Sequence, residues 1–268
     1  MYRRLLFRSD MWEIARPRHP LTAGHLLIRL SDPSTEFAEP SAADWLLCHS
    51  LARVALRDVL GAHRAALMFA HNWHPLGSAV GEPVAESSTP TFHLFGRWKG
   101  ESTTPGLQLS LPAHRRVAEP EADLDVVDAR IRDSLRLTAS RAPAEPGTEA
   151  GWAPQPGAGV VPLPPPVPLP PPVPLVATVD HARHHSVIEP ASGAVSIGDV
   201  HPGELVSVAA ALATLSLSSG LSGFSCVVVE SGEPGAPLRV HAVGRSGAED
   251  SNPMLELFRL PEVSLALL

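Results

Sequence analysis

Apolar positions in the first part of the chain follow the spacings of a strand, a helix and two further strands. Ser41 has the residue type of a helix N-cap, and apolar side chains then recur at helical spacing until Gly61, which is placed to end the helix. The predicted elements are a strand over His25–Leu30, a helix over Ser41–Val59, a strand over Ala65–Ala70, a glycine- and proline-rich loop over Asn72–Glu86 and a strand over Pro90–Phe95.

The second part of the chain shows the same succession of patterns. Pro202 is placed at the first position of a helix, and Gly220 and Gly223 supply its stop. The predicted elements are a strand over His184–Glu189, a helix over His201–Ser218, a strand over Phe224–Val229, a short loop over Ser231–Pro237 and a strand leading to Arg245. One more helix, over Leu124–Leu137, is expected to pack on the first part.

An internal repeat relates the two parts. HLFGRWKGESTTPGLQL (93–109) and HAVGRSGAEDSNPMLEL (241–257) share seven identities at a constant offset of 148, where chance would give about one. The identical pairs are His93/His241, Gly96/Gly244, Arg97/Arg245, Glu101/Glu249, Pro105/Pro253, Leu107/Leu255 and Leu109/Leu257. The sequence therefore predicts an α+β protein made of two similar units.

A linker separates the units. Residues 162–174 read PLPPPVPLPPPVP, a tract that favours an extended polyproline helix of about 3.1 Å per residue, and the stretch before it is too poor in apolar residues to form a core. The predicted organisation is a first unit over 1–139, a disordered and proline-rich linker over 140–176 and a second unit over 177–268. A spacer is the favoured role for the tract; the alternative is a docking site for a protein partner that reads proline-rich peptides.

Composition and charge exclude several classes of function. The net charge of −7 and the lack of a basic cluster argue against nucleic-acid binding. The two cysteines, Cys48 and Cys226, lie in apolar runs and are interpreted as buried hydrophobic residues. The longest apolar run, Leu205–Val229, is interrupted by serines and glycines, so no membrane span is predicted and a cytoplasmic location is expected.

The order and spacing of these elements resemble those of histidine-triad proteins and of the related galactose-1-phosphate uridylyltransferases. HPLTAGHLLIRLSDP (19–33) is similar to their opening strand, MFAHN (68–72) to their strand ending in asparagine, and the segments 89–97 and 237–245 to their histidine-triad strand. The resemblance covers most of both units. It implies two histidine-triad-like units, each an antiparallel sheet with a packed helix, arranged as an intramolecular pseudo-dimer.

The chemistry-bearing motif departs from the family pattern. In the family, the middle histidine of the triad attacks the α-phosphorus of a nucleotide. Counted back from Arg97, that position is Thr91 in the first unit, and in the second unit it is Arg239, which cannot act as a nucleophile because it stays protonated. Only the third histidine, His93 or His241, remains. A shifted alignment would make His93 the middle residue and leave Phe95 in the third position.

The candidate site lies in the first unit and rests on a few residues. His93 is the candidate catalytic acid or base, and a straight strand would place Arg97 on the same face, where both side chains could meet a phosphate. The resemblance adds His25, as a packing or supporting residue, and Asn72, near the ribose or phosphate. The candidate ligand-binding residues are Asn72, Thr91, Arg97 and His25, with His241 and Arg245 as their second-copy equivalents. The structural alternative is that these histidines and arginines pair with Glu101 and Glu249 and hold the units together.

Metal binding is the weaker interpretation of the histidines. His71 and His74 are candidate ligands, but zinc requires three or four well-placed ligands, so no metal is predicted, and no cofactor is named. The expected function is binding of a nucleotide or phosphate ester, with His93 in reassigned acid–base chemistry. An active protein would be a nucleotidyltransferase or phosphoester hydrolase. The alternative is a non-catalytic protein that binds a ligand or a partner.

Overall fold

A computed structural model of the chain describes residues 4–71, 90–111, 113–117, 121–141, 173–179, 184–230, 235–245, 257–258 and 260–267. The strands are β1 (Arg4–Arg8), β2 (Trp12–Arg16), β3 (His25–Leu30), β4 (Arg64–His71), β5 (Thr91–Arg97), β6 (Leu175–Val179), β7 (His185–Glu189), β8 (Gly223–Val229) and β9 (Arg239–Arg245). The helices are α1 (Glu39–Leu60), α2 (Pro105–Ser110), α3 (Glu121–Ala139), α4 (Pro202–Ser219) and α5 (Pro261–Leu267), with 3₁₀ turns at Ala113–Arg115 and Ile197–Asp199.

All nine of these strands form one antiparallel sheet in the order β1-β2-β3-β5-β4-β8-β9-β7-β6. Strands β1 to β5, with α1 to α3, form the first half of the molecule, and the elements from β6 onward form the second half. The two halves meet where β4 pairs with β8. From the outer side of each half toward the junction, the strands follow in the order β2-β3-β5-β4 in the first half and β6-β7-β9-β8 in the second. The two orders correspond strand by strand.

One row of paired residues crosses the sheet through its centre. His93 lies opposite Leu27 on one side and Met68 on the other, and His241 lies opposite Val187 and Val227. Met68 pairs with Val227 at the junction of the halves. This central row comprises Ala15, Leu27, His93, Met68, Val227, His241, Val187 and Ala177. His93 and His241 are therefore three strand spacings apart, or about 14 Å.

Alternation along the strands divides the core between two faces of the sheet. Leu94 on β5 and Phe224 on β8 belong to the larger core, which α1, α3 and α4 cover. Phe95 and Val227 belong to a smaller core on the opposite face, with Leu109 of α2 and residues of α5. The histidines of the central row share the face of this smaller core, because side chains at positions i and i+2 of a strand point the same way.

The main helices end in the same way in both halves. Gly61 after α1 and Gly220 after α4 have φ of 72° and 67°, the left-handed conformation that glycine adopts at low cost. The strand after each helix then follows at the same distance, since Gly61 and Gly220 are as far apart in sequence as Met68 and Val227. This common spacing places β4 and β8 in equivalent positions.

A buried ion pair connects β2 to α3 in the first half. Arg16 and Asp128 are 2.7 Å apart, and both side chains are almost completely buried. Arg16 also donates to the carbonyl oxygens of Ala23 and His25, at 2.6 and 2.7 Å. The Arg16 guanidinium therefore fixes the start of β3, where His25 lies.

The predicted mixture of helices and antiparallel strands is confirmed. Helix α1 begins at Glu39, two residues before the predicted start, and Pro40 lies in its first turn. The sequence analysis missed β1, β2 and β6, and β6 begins at Leu175, inside the range predicted as linker. Residues 142–172 of that linker lie outside the described residues. Among the helices described, none is long and apolar enough to cross a membrane.

Candidate functional site

Two pairs of buried histidines occupy matching places on the sheet. His25 of β3 and His93 of β5 approach to 3.0 Å between Nε2 and Nδ1, and His185 of β7 and His241 of β9 approach to 3.3 Å between the same two atoms. In both pairs the second histidine lies in the central row, and the first lies two residues before the row on the neighbouring strand. The structure thus brings together His25 and His93, two of the predicted site residues.

The hydrogen bonds around His25 assign the tautomers of the first pair. The amide N–H of Leu21 donates to His25 Nδ1 at 3.1 Å, so this nitrogen carries a lone pair. In the neutral ring the proton is then on Nε2, which donates to Nδ1 of His93. The remaining proton of a neutral His93 is consequently on Nε2, the nitrogen that points away from the pair.

Burial keeps both imidazoles of the first pair neutral. Removal from water lowers the pKa of His93 to about 4. Burial, followed by the positive charge that a protonated His93 would carry and by Arg16, lowers the pKa of His25 well below its ordinary value. His25 is fully buried, whereas His93 keeps 6% of its surface exposed, the largest fraction among the four paired histidines. His93 is therefore the less deeply buried member of the pair.

A network of charged side chains lies beside Thr91, on the face of the sheet that His93 occupies. Thr91 pairs across the strands with Arg29, and Arg29 pairs with Glu13. Glu13 accepts two hydrogen bonds from Arg29, at 2.8 and 3.1 Å, and forms an ion pair with Arg8. Burial by itself would raise the pKa of Glu13, but the bonds and charges of the two arginines outweigh it and lower the pKa. Two guanidinium groups against one carboxylate leave this corner with a net positive charge.

In the second half, the acid–base pair lies one strand closer to the junction of the halves. Register makes Glu189 the equivalent of Arg29 and Arg239 the equivalent of Thr91. Arg239 donates to Glu189 at 2.8 Å, so an ion pair occupies the position that Thr91 holds in the first half. The side chains of Arg239 and Glu189 are 47% and 25% exposed, which makes this a surface pair.

Arg97 is engaged in structural contacts. It forms an ion pair with Glu101 and donates to the carbonyl oxygen of Ala266 in α5. Burial raises the pKa of Glu101, although Arg97 opposes this shift. The contact with α5 joins the first half to the end of the chain, as the structural interpretation of Arg97 predicted. Arg245, its second-half equivalent, is 1% exposed.

The remaining predicted residues lie at or beyond the end of β4. His71 is the last residue of that strand, is partly buried, and has a pKa lowered by burial. Asn72, His74 and the rest of the loop predicted over Asn72–Glu86 lie outside the described residues. Across the described ranges, no group of three or more histidine, cysteine or acidic residues is arranged to hold a metal ion.

Sequence reasoning missed the charge network of Arg8, Glu13 and Arg29. The available signal was local: two short apolar runs, each flanked by arginine, surround the Ser9–Asp10 turn and indicate a hairpin. Placing Glu13 opposite Arg29 further requires the strand register, which the amino-acid pattern does not give.

Comparisons with known proteins returned structural likenesses only. No protein-family model matches the chain, and no curated protein matches it. A hypothetical histidine triad nucleotide-binding protein from Sulfolobus tokodaii is 13% identical, with a TM-score of 0.38 over 57% of this chain and 93% of its own. A Zn-bound histidine triad family protein from Mycobacterium smegmatis is 17% identical, with a TM-score of 0.36 over 53% and 89%.

A third solved structure belongs to the same group by its description. It is a Hit-like protein involved in cell-cycle regulation from Bartonella henselae, 14% identical, with a TM-score of 0.34 over 50% of this chain and 88% of its own. All three descriptions name the family that the sequence motifs resemble. At TM-scores this low, the strand order and register remain the basis for the fold.

Proposed function

We propose that this chain is a histidine-triad-like protein formed by internal duplication. Its halves pack as an intramolecular pseudo-dimer, and the first half binds a nucleotide or another phosphorylated ligand without covalent turnover. The observation that carries this proposal is the buried His25–His93 pair, whose tautomers leave an N–H on Nε2 of His93, the nitrogen not bonded to His25.

Strand register supports the duplication. His25 and His185 differ by 160 positions and His93 and His241 by 148, and both pairs occupy equivalent register positions across the strands. Equivalent residues Met68 and Val227 pair with each other, which is the arrangement expected at a twofold axis. Two copies of one module that meet edge to edge produce this pattern, whereas unrelated halves would produce it only by coincidence.

The tautomer of His93 argues against nucleophilic catalysis. Attack on phosphorus requires a nitrogen lone pair, but Nδ1 of His93 accepts from His25 and Nε2 carries the proton. General-acid catalysis is disfavoured as well, because a pKa of about 4 leaves roughly one imidazolium in a thousand at pH 7. What remains is a hydrogen-bond donor, which suits an oxygen of a phosphate or a sugar.

Local charge favours an anionic ligand in the first half. The corner beside Thr91 contains Arg8, Arg29 and Glu13, with one positive charge in excess. A phosphate there would lie between the Thr91 hydroxyl and the arginines, next to His93. In the second half the matching position is filled by the Arg239–Glu189 pair, so we assign binding to the first half alone.

A thermal-shift experiment tests this assignment on the full chain. The wild-type protein is titrated with AMP, ATP and UDP-glucose, beside His93→Ala and its matched control His241→Ala. We expect a nucleotide to raise the melting temperature of wild type and His241→Ala by several degrees, and to leave His93→Ala unchanged. His93→Gln, which retains a side-chain N–H, should recover part of the shift and shows whether His93→Ala merely fails to fold.

Intact mass after the same incubations separates the competing functions. An unchanged protein mass, together with unchanged nucleotides, agrees with binding without turnover. A nucleotidyl adduct that disappears in His93→Ala would establish an enzyme and overturn the proposal. A lack of shift with every nucleotide would instead favour a protein whose histidine pairs are purely structural and whose role is to bind a partner.

A further inference from the structure

The two edges of the sheet differ in how they end. In the first half β2 is followed outward by β1, whereas in the second half β6, the equivalent of β2, is the last strand of the order among the described residues. Register gives the equivalence: Ala15 and Ala177 occupy the same place at opposite ends of the central row. Among the described residues, the second half therefore shows no counterpart of β1.

The covered edge carries features that discourage further pairing. β1 has Arg4 and Arg8 at its two ends, and its register shifts between Leu5 and Phe7 in the manner of a β-bulge. Terminal charges and bulges are the devices by which natural sheets avoid edge-to-edge association. β1 thus ends the sheet on that side.

The edge at β6 has none of these devices. Its sequence, Leu-Val-Ala-Thr-Val, contains no charge and no proline, and its pairing with β7 is regular over five residues. Val173, Leu175 and Val176 are 84%, 64% and 38% exposed. Among the described strands β6 pairs with β7 alone, and an uncharged, regular, apolar edge of this kind is a template for another strand.

The preceding sequence is unsuited to supplying that strand. The offset that relates Ala15 to Ala177 makes Pro166, Val167, Pro168, Leu169 and Pro170 the counterparts of β1. Proline has no amide hydrogen, so three of these five positions offer no donor to a ladder. The occupant must then come from outside this stretch.

We propose that the occupant is a second copy of this chain, which pairs β6 with β6 in antiparallel orientation about Ala177. In that register Leu175 lies opposite Val179, Val176 opposite Thr178, and Ala177 opposite itself. The strand is suited to pairing with itself, because no like charges meet and β-branched residues are favourable cross-strand neighbours. The interface is isologous and closes after two copies, so it joins two sheets without producing fibres.

The size of the contact sets its strength. Five residues per strand bury far less than the roughly 1,200 Å² of a standard interface, so the dimer should dissociate on dilution. This association is separate from nucleotide binding, since β6 and the His25–His93 pair lie in opposite halves of the sheet.

Analytical ultracentrifugation of the full chain over a roughly hundredfold range of concentration measures the association. We expect a monomer–dimer equilibrium for wild type, a monomer for Ala177→Lys, and an unchanged equilibrium for Leu5→Lys, which adds the same charge at the opposite edge. Circular dichroism establishes that each variant is folded. A wild-type protein that stays monomeric, or a dimer that survives Ala177→Lys and is lost in Leu5→Lys, would overturn the proposal.

Cross-linking tests the register. Residues directly opposite in an antiparallel pair have Cα atoms at distances that a disulfide spans, so Ala177→Cys should form a disulfide-linked dimer under mild oxidation. Leu5→Cys is the matched control and should form no disulfide-linked dimer, and both native cysteines are buried. Equal cross-linking of the two variants, or failure of Ala177→Cys to cross-link while wild type dimerises, would contradict pairing about Ala177.

Discussion

A row of paired positions that lies two residues from the central row carries different side chains in the two halves. In the first half it reads Glu13, Arg29 and Thr91 across β2, β3 and β5, and in the second it reads Leu175, Glu189 and Arg239 across β6, β7 and β9. The acid–base pair of the second half lies one strand closer to the junction of the halves, whereas the backbone register is the same in both. The fold therefore tolerates a change of site chemistry when the strand pairing is preserved, and only the first half keeps a short polar residue beside its histidine pair.

The largest expected difference between the halves concerns the ion pair of Arg16 and Asp128. Register places Thr178 where the first half has Arg16, so the second half has no arginine at this position to form the equivalent ion pair. Asp128→Ala leaves the Arg16 charge buried without its carboxylate and should lower the free energy of unfolding by about 3–5 kcal/mol. Urea denaturation measures the loss.

A double variant sharpens this test. Replacing both partners, Arg16→Met with Asp128→Leu, removes the buried charges together and should restore most of the stability lost in Asp128→Ala. If Asp128→Ala unfolds as the wild type does, the ion pair does not anchor the first half.

The next effect is the dependence of stability on pH that the first histidine pair produces. The pKa of His93 is about 4 in the folded protein and about 6.5 when unfolded, so between these values the unfolded chain binds more protons. The contribution of His93 to the free energy of unfolding should be fully retained above pH 6.5 and fall by roughly 3 kcal/mol as the pH drops to about 4. His25 and His49, whose pKa values burial also lowers, add to the decline.

Urea denaturation at a series of pH values tests this expectation. His93→Asn should make the decline between pH 6.5 and 4 shallower, because one of the titrating imidazoles is removed. An equally steep decline in wild type and His93→Asn would show that other groups control acid sensitivity.

The smallest effect on stability is expected from the surface pair of the second half. Arg239→Thr removes an exposed ion pair and should change the free energy of unfolding by less than about 1 kcal/mol. Thr91→Arg, the reverse exchange, should be similarly mild for stability but should abolish the nucleotide-induced thermal shift by adding a bulky side chain to the proposed site. A thermal shift that survives Thr91→Arg would place the ligand elsewhere.

Sequence patterns predicted the elements whose signals are local. Helix α4 begins at Pro202 and is followed by Gly220, as the capping residues indicated, and the helix predicted over Leu124–Leu137 lies within α3. β1, β2 and β6 were missed because they are short, and because arginine at strand ends or proline before β6 hides their alternation. Short strands at sheet edges depend on their neighbours more than on their own residues.

The candidate site was predicted in part. The repeat at an offset of 148 singled out His93 and His241, and the resemblance indicated His25 as a supporting residue, in agreement with its hydrogen bond to His93. The convergence of Arg97 with His93 on a phosphate was an expectation from strand periodicity. Periodicity assigns a side chain to a face but not its partners, and Arg97 instead binds Glu101 and the end of α5.

The pairing of β4 with β8 has a consequence for how the protein folds. Met68 and Val227 meet at the middle of the sheet although 159 residues separate them in the chain. A contact of such long range forms late, because much of the chain must be closed into a loop first. During synthesis β4 leaves the ribosome before β8, so it cannot form this pairing until the second half has been made.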